Sequence, residues 1–113
     1  MTEHYLYKIQ YVGFPKTRLK VESVYMIDDV YVGGSIHTRG RILAHFNSAI
    51  SGRHSNKQLQ EYLRLKYQNN EPIIVKMLSN NAFDEAYWIE AIKPKFNKSA
   101  ITYTNQLSNY LGL

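Results

Sequence analysis

Residues 5–12, YLYKIQYV, are rich in tyrosine, isoleucine and valine and predict a strand, broken by Gly13-Phe14-Pro15-Lys16. Residues 19–27, LKVESVYMI, alternate in polarity and predict a second strand. Asp28-Asp29 marks a hairpin turn, and Val30-Tyr31-Val32 predicts a third strand stopped by Gly33-Gly34. Ile42, Phe46, Ala49 and Ile50 recur at helical spacing, with Ser35 or Thr38 as the cap and Gly52 as the end. A second helix follows Ser55 or Asn56, with Leu59, Tyr62, Leu63 and Lys66 on one face, and Asn69-Asn70-Glu71-Pro72 terminates it. Ile73 to Leu78 is nearly all apolar and predicts a buried strand. Asn81 and Asp84 resemble a capping box with a shorter acid and open a third helix over 82–92, ended by Pro94. The polar tail from Ser99 places Leu107, Tyr110 and Leu111 at helical spacing. This order predicts an α+β domain with a small, mainly antiparallel sheet flanked by about three helices.

The length of 113 residues suits one domain over 1–113. Within it lie N-terminal strands (1–30) with an inserted hairpin, a core (31–97) and a C-terminal tail (98–113). The apolar fraction of 44% argues against disorder. No run reaches the roughly 18 apolar residues of a membrane span, and the N-terminus lacks a secretory pattern. The absence of cysteine excludes disulfides and thiolate metal sites. A net charge of +5 favours a polyanionic partner.

Candidate chemistry begins with Arg41 and His45, which stand four residues apart on one helix face. The planar fork of arginine matches phosphate, and histidine can hold a phosphate oxygen or a nucleophile. A solvated helix face is the plain alternative. His54 lies in Gly52-Arg53-His54-Ser55-Asn56, a loop opening a helix, where backbone amides can meet an anion. That loop can equally serve only as a cap. Tyr31 precedes Gly33, whose backbone permits close approach. Glu85 shares its helix side with Trp88, Ile89 and Ile92, which demands an ion pair, partial exposure or a metal. His37, His45 and His54 lack zinc-protease spacing, and no nucleophile elbow or phosphate-binding glycine loop is present.

Together these residues resemble the GIY-YIG nuclease family, in particular the catalytic domains of its homing endonucleases. Tyr31-Val32-Gly33 matches the second signature of the name. Arg41 and His45, the segment from Gly52 to Asn56 with Leu59-Gln60, Glu85-Ala86-Tyr87-Trp88-Ile89, and Lys93-Pro94-Lys95-Phe96-Asn97 follow in the family's order. The first signature, Gly-Ile-Tyr, has no clean match. Tyr5-Leu6-Tyr7-Lys8-Ile9 resembles it at the cost of an insertion over about 11–22, and Ser23-Val24-Tyr25-Met26-Ile27 resembles it with a very short spacing. A two-residue turn at Asp28-Asp29 would face Tyr25 away from Tyr31 and favour Tyr7; a three-residue loop would restore Tyr25.

The resemblance implies a metal-dependent DNA endonuclease with Tyr7 (or Tyr25), Tyr31, Arg41, His45, His54 and Glu85 as catalytic residues and Gly33 and Asn97 in support. It implies one Mg²⁺ or Mn²⁺ ion on Glu85, a tyrosine that deprotonates the attacking water, and Arg41 on the scissile phosphate. It further implies the cytoplasm of a bacterial or phage-infected cell. Lys16, Arg18, Lys20, Arg39, Arg53 and Lys57 are the candidate DNA contacts. With no room for a separate recognition region after residue 98, DNA would be met by this surface alone, by a homodimer or with a partner. The rival expectation is a catalytically silent nucleic-acid-binding domain on the same fold.

Overall fold

The computed structural model describes residues 3–17 and 20–97; Arg18 and the tail bearing Leu107, Tyr110 and Leu111 lie outside the described residues. The chain is an α+β domain. A one-turn helix α1 (Glu3–Leu6) precedes β1 (Ile9–Val12), β2 (Ser23–Ile27), β3 (Tyr31–Ser35), α2 (Thr38–Ile50), α3 (Lys57–Gln68), β4 (Ile73–Ser79) and α4 (Glu85–Ile92). A single 3₁₀ turn, Ala82–Asp84, leads into α4. The four strands are ordered β1-β4-β2-β3. β2 runs antiparallel to both β3 and β4, and β1 is parallel to β4. Among the described residues no helix is long and apolar enough to cross a membrane.

Strand alternation splits the apolar residues into two cores. Tyr25, Ile27, Tyr31, Ile73 and Val75 meet Ile42, Phe46 and Ala49 of α2 and Leu59 and Leu63 of α3. Val24, Met26 and Val32, on the alternate positions, meet Ile89 of α4. The sheet thus carries α2 and α3 on one face and α4 on the other.

Several local expectations change. Residues 5–12 are not one strand, because Tyr5 lies within the α1 turn and buries its ring against Phe46 and Tyr67. Its hydroxyl donates to the Glu71 carbonyl, and this burial overrides the tyrosine's β-propensity. Among the described residues no strand lies between Val12 and Ser23, where the inserted hairpin was expected. β4 is not wholly buried: Ile73 and Val75 face the core while Ile74 is 42% exposed. β3 continues through Gly33 and Gly34 rather than stopping there. The α2 N-cap is His37, with no side-chain cap bond, while Thr38 is buried and donates to the Val21 carbonyl. Asn56 caps α3 by accepting from Leu59 N–H, as its residue type suggests.

The β2–β3 connection decides the site. Ile27 pairs with Tyr31, so the loop is three residues, Asp28-Asp29-Val30, not two. Asp28 adopts a left-handed φ of 46° and holds the loop with its carboxylate, which accepts from the Ile74 amide and the Tyr62 hydroxyl. With that register Tyr25, Ile27, Tyr31 and Gly33 share one face.

β3 is an edge strand, and Asn97 covers it as a neighbouring strand would. Its Oδ1 accepts from Val32 N–H at 2.9 Å and its Nδ2 donates to the Val32 carbonyl at 2.8 Å. Asn97→Ala leaves both groups without this partner. Each bond is worth roughly 0.5–1.5 kcal/mol, so chemical denaturation should register a loss of about 1–3 kcal/mol.

Candidate active site

The stripe of α2 residues facing the sheet contains Thr38, Ile42, His45, Phe46 and Ala49. His45 is therefore inside, not on a solvated face, and meets β2. Its Nε2 lies 2.8 Å from the Tyr25 hydroxyl. Its Nδ1 lies 2.8 Å from Nε2 of His54, delivered by the α2–α3 loop. The two imidazole planes are 16° apart with centroids 5.0 Å apart, the separation left when the rings meet edge to edge through that bond. Tyr31 sets its ring at 72° against His45, with centroids 5.3 Å apart.

Tyr25 is 1% exposed and lies across Gly33. A Cβ at residue 33 would stand 2.5 Å from the Tyr25 hydroxyl oxygen and 2.7 Å from Cζ. The glycine of Tyr31-Val32-Gly33 is thus required by a side chain from the next strand. Burial pushes the Tyr25 hydroxyl well above the ordinary phenol range. Neighbouring Tyr31 and the Glu85 carboxylate push the same way, while Arg41 opposes them through its charge and a side-chain hydrogen bond. These effects on one oxygen bring Tyr31, Arg41 and Glu85 together around Tyr25. Glu85 itself, at the N-terminus of α4, is fully buried.

Arg41, Ala44, Ser48, Arg53 and Ser55 frame an open polar cleft of about 170 Å³ beside His45 and His54. Its size and two guanidinium groups suit a phosphate. Exposed Lys57 adds charge beside His54. A larger groove, about 520 Å³, is lined in part by Val12, Asp28, Tyr62, Lys66, Ile74 and Lys76 and contains none of the candidate catalytic residues.

The structure gathers Tyr25, Tyr31, Gly33, Arg41, His45, His54 and Glu85. Tyr7 does not join them. It is 86% exposed, just after the α1 turn, and Tyr25 takes the place expected of it. Asn97 braces the β3 backbone at Val32, between Tyr31 and Gly33. Arg39 is half-buried, donates to the Pro15 carbonyl and lies over the Tyr11 and Phe14 rings, so it is not a bare surface cation. Lys16 and Lys20 are exposed in the β1–β2 segment. Two contributors were not assigned a role from the sequence. Gln60 accepts the His54 amide, and the Asn56 amide meets the His54 ring. Gln60 stands out in the sequence as a polar residue inside the Leu59–Leu63 stripe and in the Leu59-Gln60 segment of the resemblance, in neither case with a role; a backbone donor leaves no sign at all.

Among the described residues no group of three or more His, Cys, Asp or Glu side chains is placed to hold a metal. Among the described residues gathered at the site, Glu85 supplies the carboxylate, a hard oxygen donor. That fits a magnesium-type ion, which is commonly held by one or two carboxylates with water and phosphate oxygens completing its shell.

Burial, then the charge of Arg41, lowers His45 to about 3, and burial with Arg41 and Lys57 lowers His54. The folded chain therefore binds fewer protons than the unfolded chain below pH 6.5. This contribution is whole above pH 6.5 and is lost as pH falls toward 3. Stability should drop from pH 6.5 to 5, where ordinary carboxylates stay ionised, by up to about 1.4 kcal/mol per pH unit for each such proton. Denaturant titrations of wild type and His45→Gln check this: the variant should have the flatter pH dependence. Comparison with protein-family models, curated proteins and solved structures finds no match to this chain.

Proposed function

We propose that this chain is a metal-dependent endodeoxyribonuclease of the GIY-YIG type. One observation carries the reading: the Tyr25 hydroxyl on β2 meets His45 and feels Tyr31 of β3, Arg41 of α2 and Glu85 of α4, while His54 of the α2–α3 loop backs His45 beside a basic cleft. Tyr25, Arg41, His45, His54 and Glu85 span sixty residues of sequence. Burying that much polar chemistry is costly, and packing alone does not require it.

In this mechanism Arg41 and Arg53 bind the scissile phosphate in the cleft. Tyr25, as phenolate, takes a proton from the attacking water; water oxygen bonds to phosphorus and the 3′ oxygen leaves. An unperturbed phenol is a poor base near neutrality, and burial makes Tyr25 poorer still. The Arg41 charge and a hydrogen bond from His45 favour its ionised form. Tyr31 packs against His45 and holds the ring in place. Glu85 would hold a divalent cation, which when bound neutralises charge developing on the phosphate. DNA is the proposed partner, with Lys57 beside the cleft as an added contact.

Plasmid incubated with Mg²⁺ or Mn²⁺, beside an EDTA control, tests the activity. Cleavage should require the metal. Glu85→Gln keeps the side chain's shape and removes its charge, so cleavage should fall at least about a hundredfold, on the order of 3 kcal/mol, while DNA binding in EDTA persists. DNA binding without metal-dependent cleavage in the wild type would instead identify a silent binding domain. Tyr25→Phe should abolish cleavage and Tyr7→Phe should leave it unchanged; the reverse result would return Tyr7 to the site.

A further inference from the structure

The chain of bonds behind Tyr25 has a direction. Asn56 N–H donates to His54 Nδ1 at 3.0 Å. A backbone amide only donates, so this ring nitrogen carries no proton. Burial and the charges of Arg41 and Lys57 outweigh an opposing backbone contact at Asn56 and lower His54 below its ordinary range, so it is neutral at pH 7. A neutral imidazole has one proton, which must then sit on Nε2. That nitrogen faces His45 Nδ1 at 2.8 Å, so Nδ1 of His45 accepts. His45, deeply buried, is neutral as well. Its own proton therefore sits on Nε2, 2.8 Å from the Tyr25 oxygen.

We propose that His54 is a positioning residue: anchored by the Asn56 amide, it locks His45 in the Nε2–H tautomer and makes His45 a donor to Tyr25, not a base for it. The structural part of this stands on the bond geometry; its catalytic meaning rests on the nuclease reading above. A base at His45 would need a bare Nε2, which would require reversing every bond in the relay, and the Asn56 amide cannot be reversed. The Tyr25 oxygen thus receives a hydrogen bond from His45 and has the Arg41 charge beside it. Both stabilise a phenolate. The proton that Tyr25 sheds to reach that form goes to cleft water, and the proton it regains comes from the attacking water. His54 in turn is fixed by Gln60, whose Oε1 accepts the His54 amide at 3.0 Å.

The four histidines make the test tractable by ¹⁵N NMR of the labelled full chain at pH 7. Long-range ¹⁵N–¹H correlations distinguish Nδ1–H, Nε2–H and imidazolium rings. His45 and His54 should both give the Nε2–H pattern, and an Nδ1–H or imidazolium pattern at either ring overturns the relay. His54→Gln places an N–H near the former Nε2, so His45 should stay Nε2–H. His54→Asn keeps an acceptor for the Asn56 amide but does not reach His45, so His45 should gain Nδ1–H form. An unchanged His45 in His54→Asn overturns the lock. If either variant fails to fold, the wild-type spectrum still decides. In cleavage assays His54→Asn should lose at least tenfold in kcat with KM little changed, and His54→Gln should retain most of it; equal losses overturn the catalytic role. A wild type with the expected tautomers and no metal-dependent cleavage sinks the nuclease reading and leaves the relay standing.

Discussion

Side chains on neighbouring strands share a face only if the loop between them has the right parity. In this chain Asp28-Asp29-Val30 pairs Ile27 with Tyr31, which sets Tyr25 opposite Gly33 and on the same side as Tyr31. One residue fewer would put Tyr25 and Tyr31 on opposite faces of the sheet, so that only one of them could meet His45. The loop is held by Asp28, whose carboxylate ties it to β4 and to Tyr62 of α3. Gly33 then supplies the space: any Cβ there would occupy the volume of the Tyr25 ring end.

Fold and candidate site are built from the same bonds. Asn56 caps α3 with its Oδ1, donates from its Nδ2 to the Phe96 carbonyl, and presents its backbone N–H to His54. Asn97 closes the β3 edge at Val32, between Tyr31 and Gly33. A cluster of polar groups in a protein interior is tolerated when its hydrogen bonds are made, and a satisfied cluster holds its members in one geometry. The run from Asn56 through His54 and His45 to Tyr25 meets that condition. It ends where the interior opens into the cleft of Arg41 and Arg53.

Charge follows the same division. Arg41 and Arg53 face the cleft, whereas Arg39, two residues from Arg41 in sequence, points its guanidinium at Tyr11 and Phe14 and ties the β1–β2 segment to α2. A helix turns about 100° per residue, so neighbouring arginines serve different neighbours. Net charge describes the whole chain and does not tell these roles apart.

Much was legible before any coordinates. Helical spacing located α2 and α3, Ser55 and Asn56 stood out as the two candidates for the α3 cap, and the i, i+4 pair of Arg41 and His45 marked one helix side. The acid on an apolar stripe at Glu85 already called for an ion pair, partial exposure or a metal. What could not be read was anything set by a partner distant in sequence. Tyr5 and Tyr7 have similar local neighbours, yet Tyr5 is buried by Phe46 and Tyr67 while Tyr7 is left in solvent. Tyr7 and Tyr25 were both acceptable as the first tyrosine, because the choice depends on one residue of loop length and on a left-handed Asp28. Periodicity, capping and residue chemistry act over a few positions, so the sequence by itself determined the elements and the inventory. Strand register, and with it the tyrosine that meets the histidines, is a long-range pairing, and only the packed structure decided it.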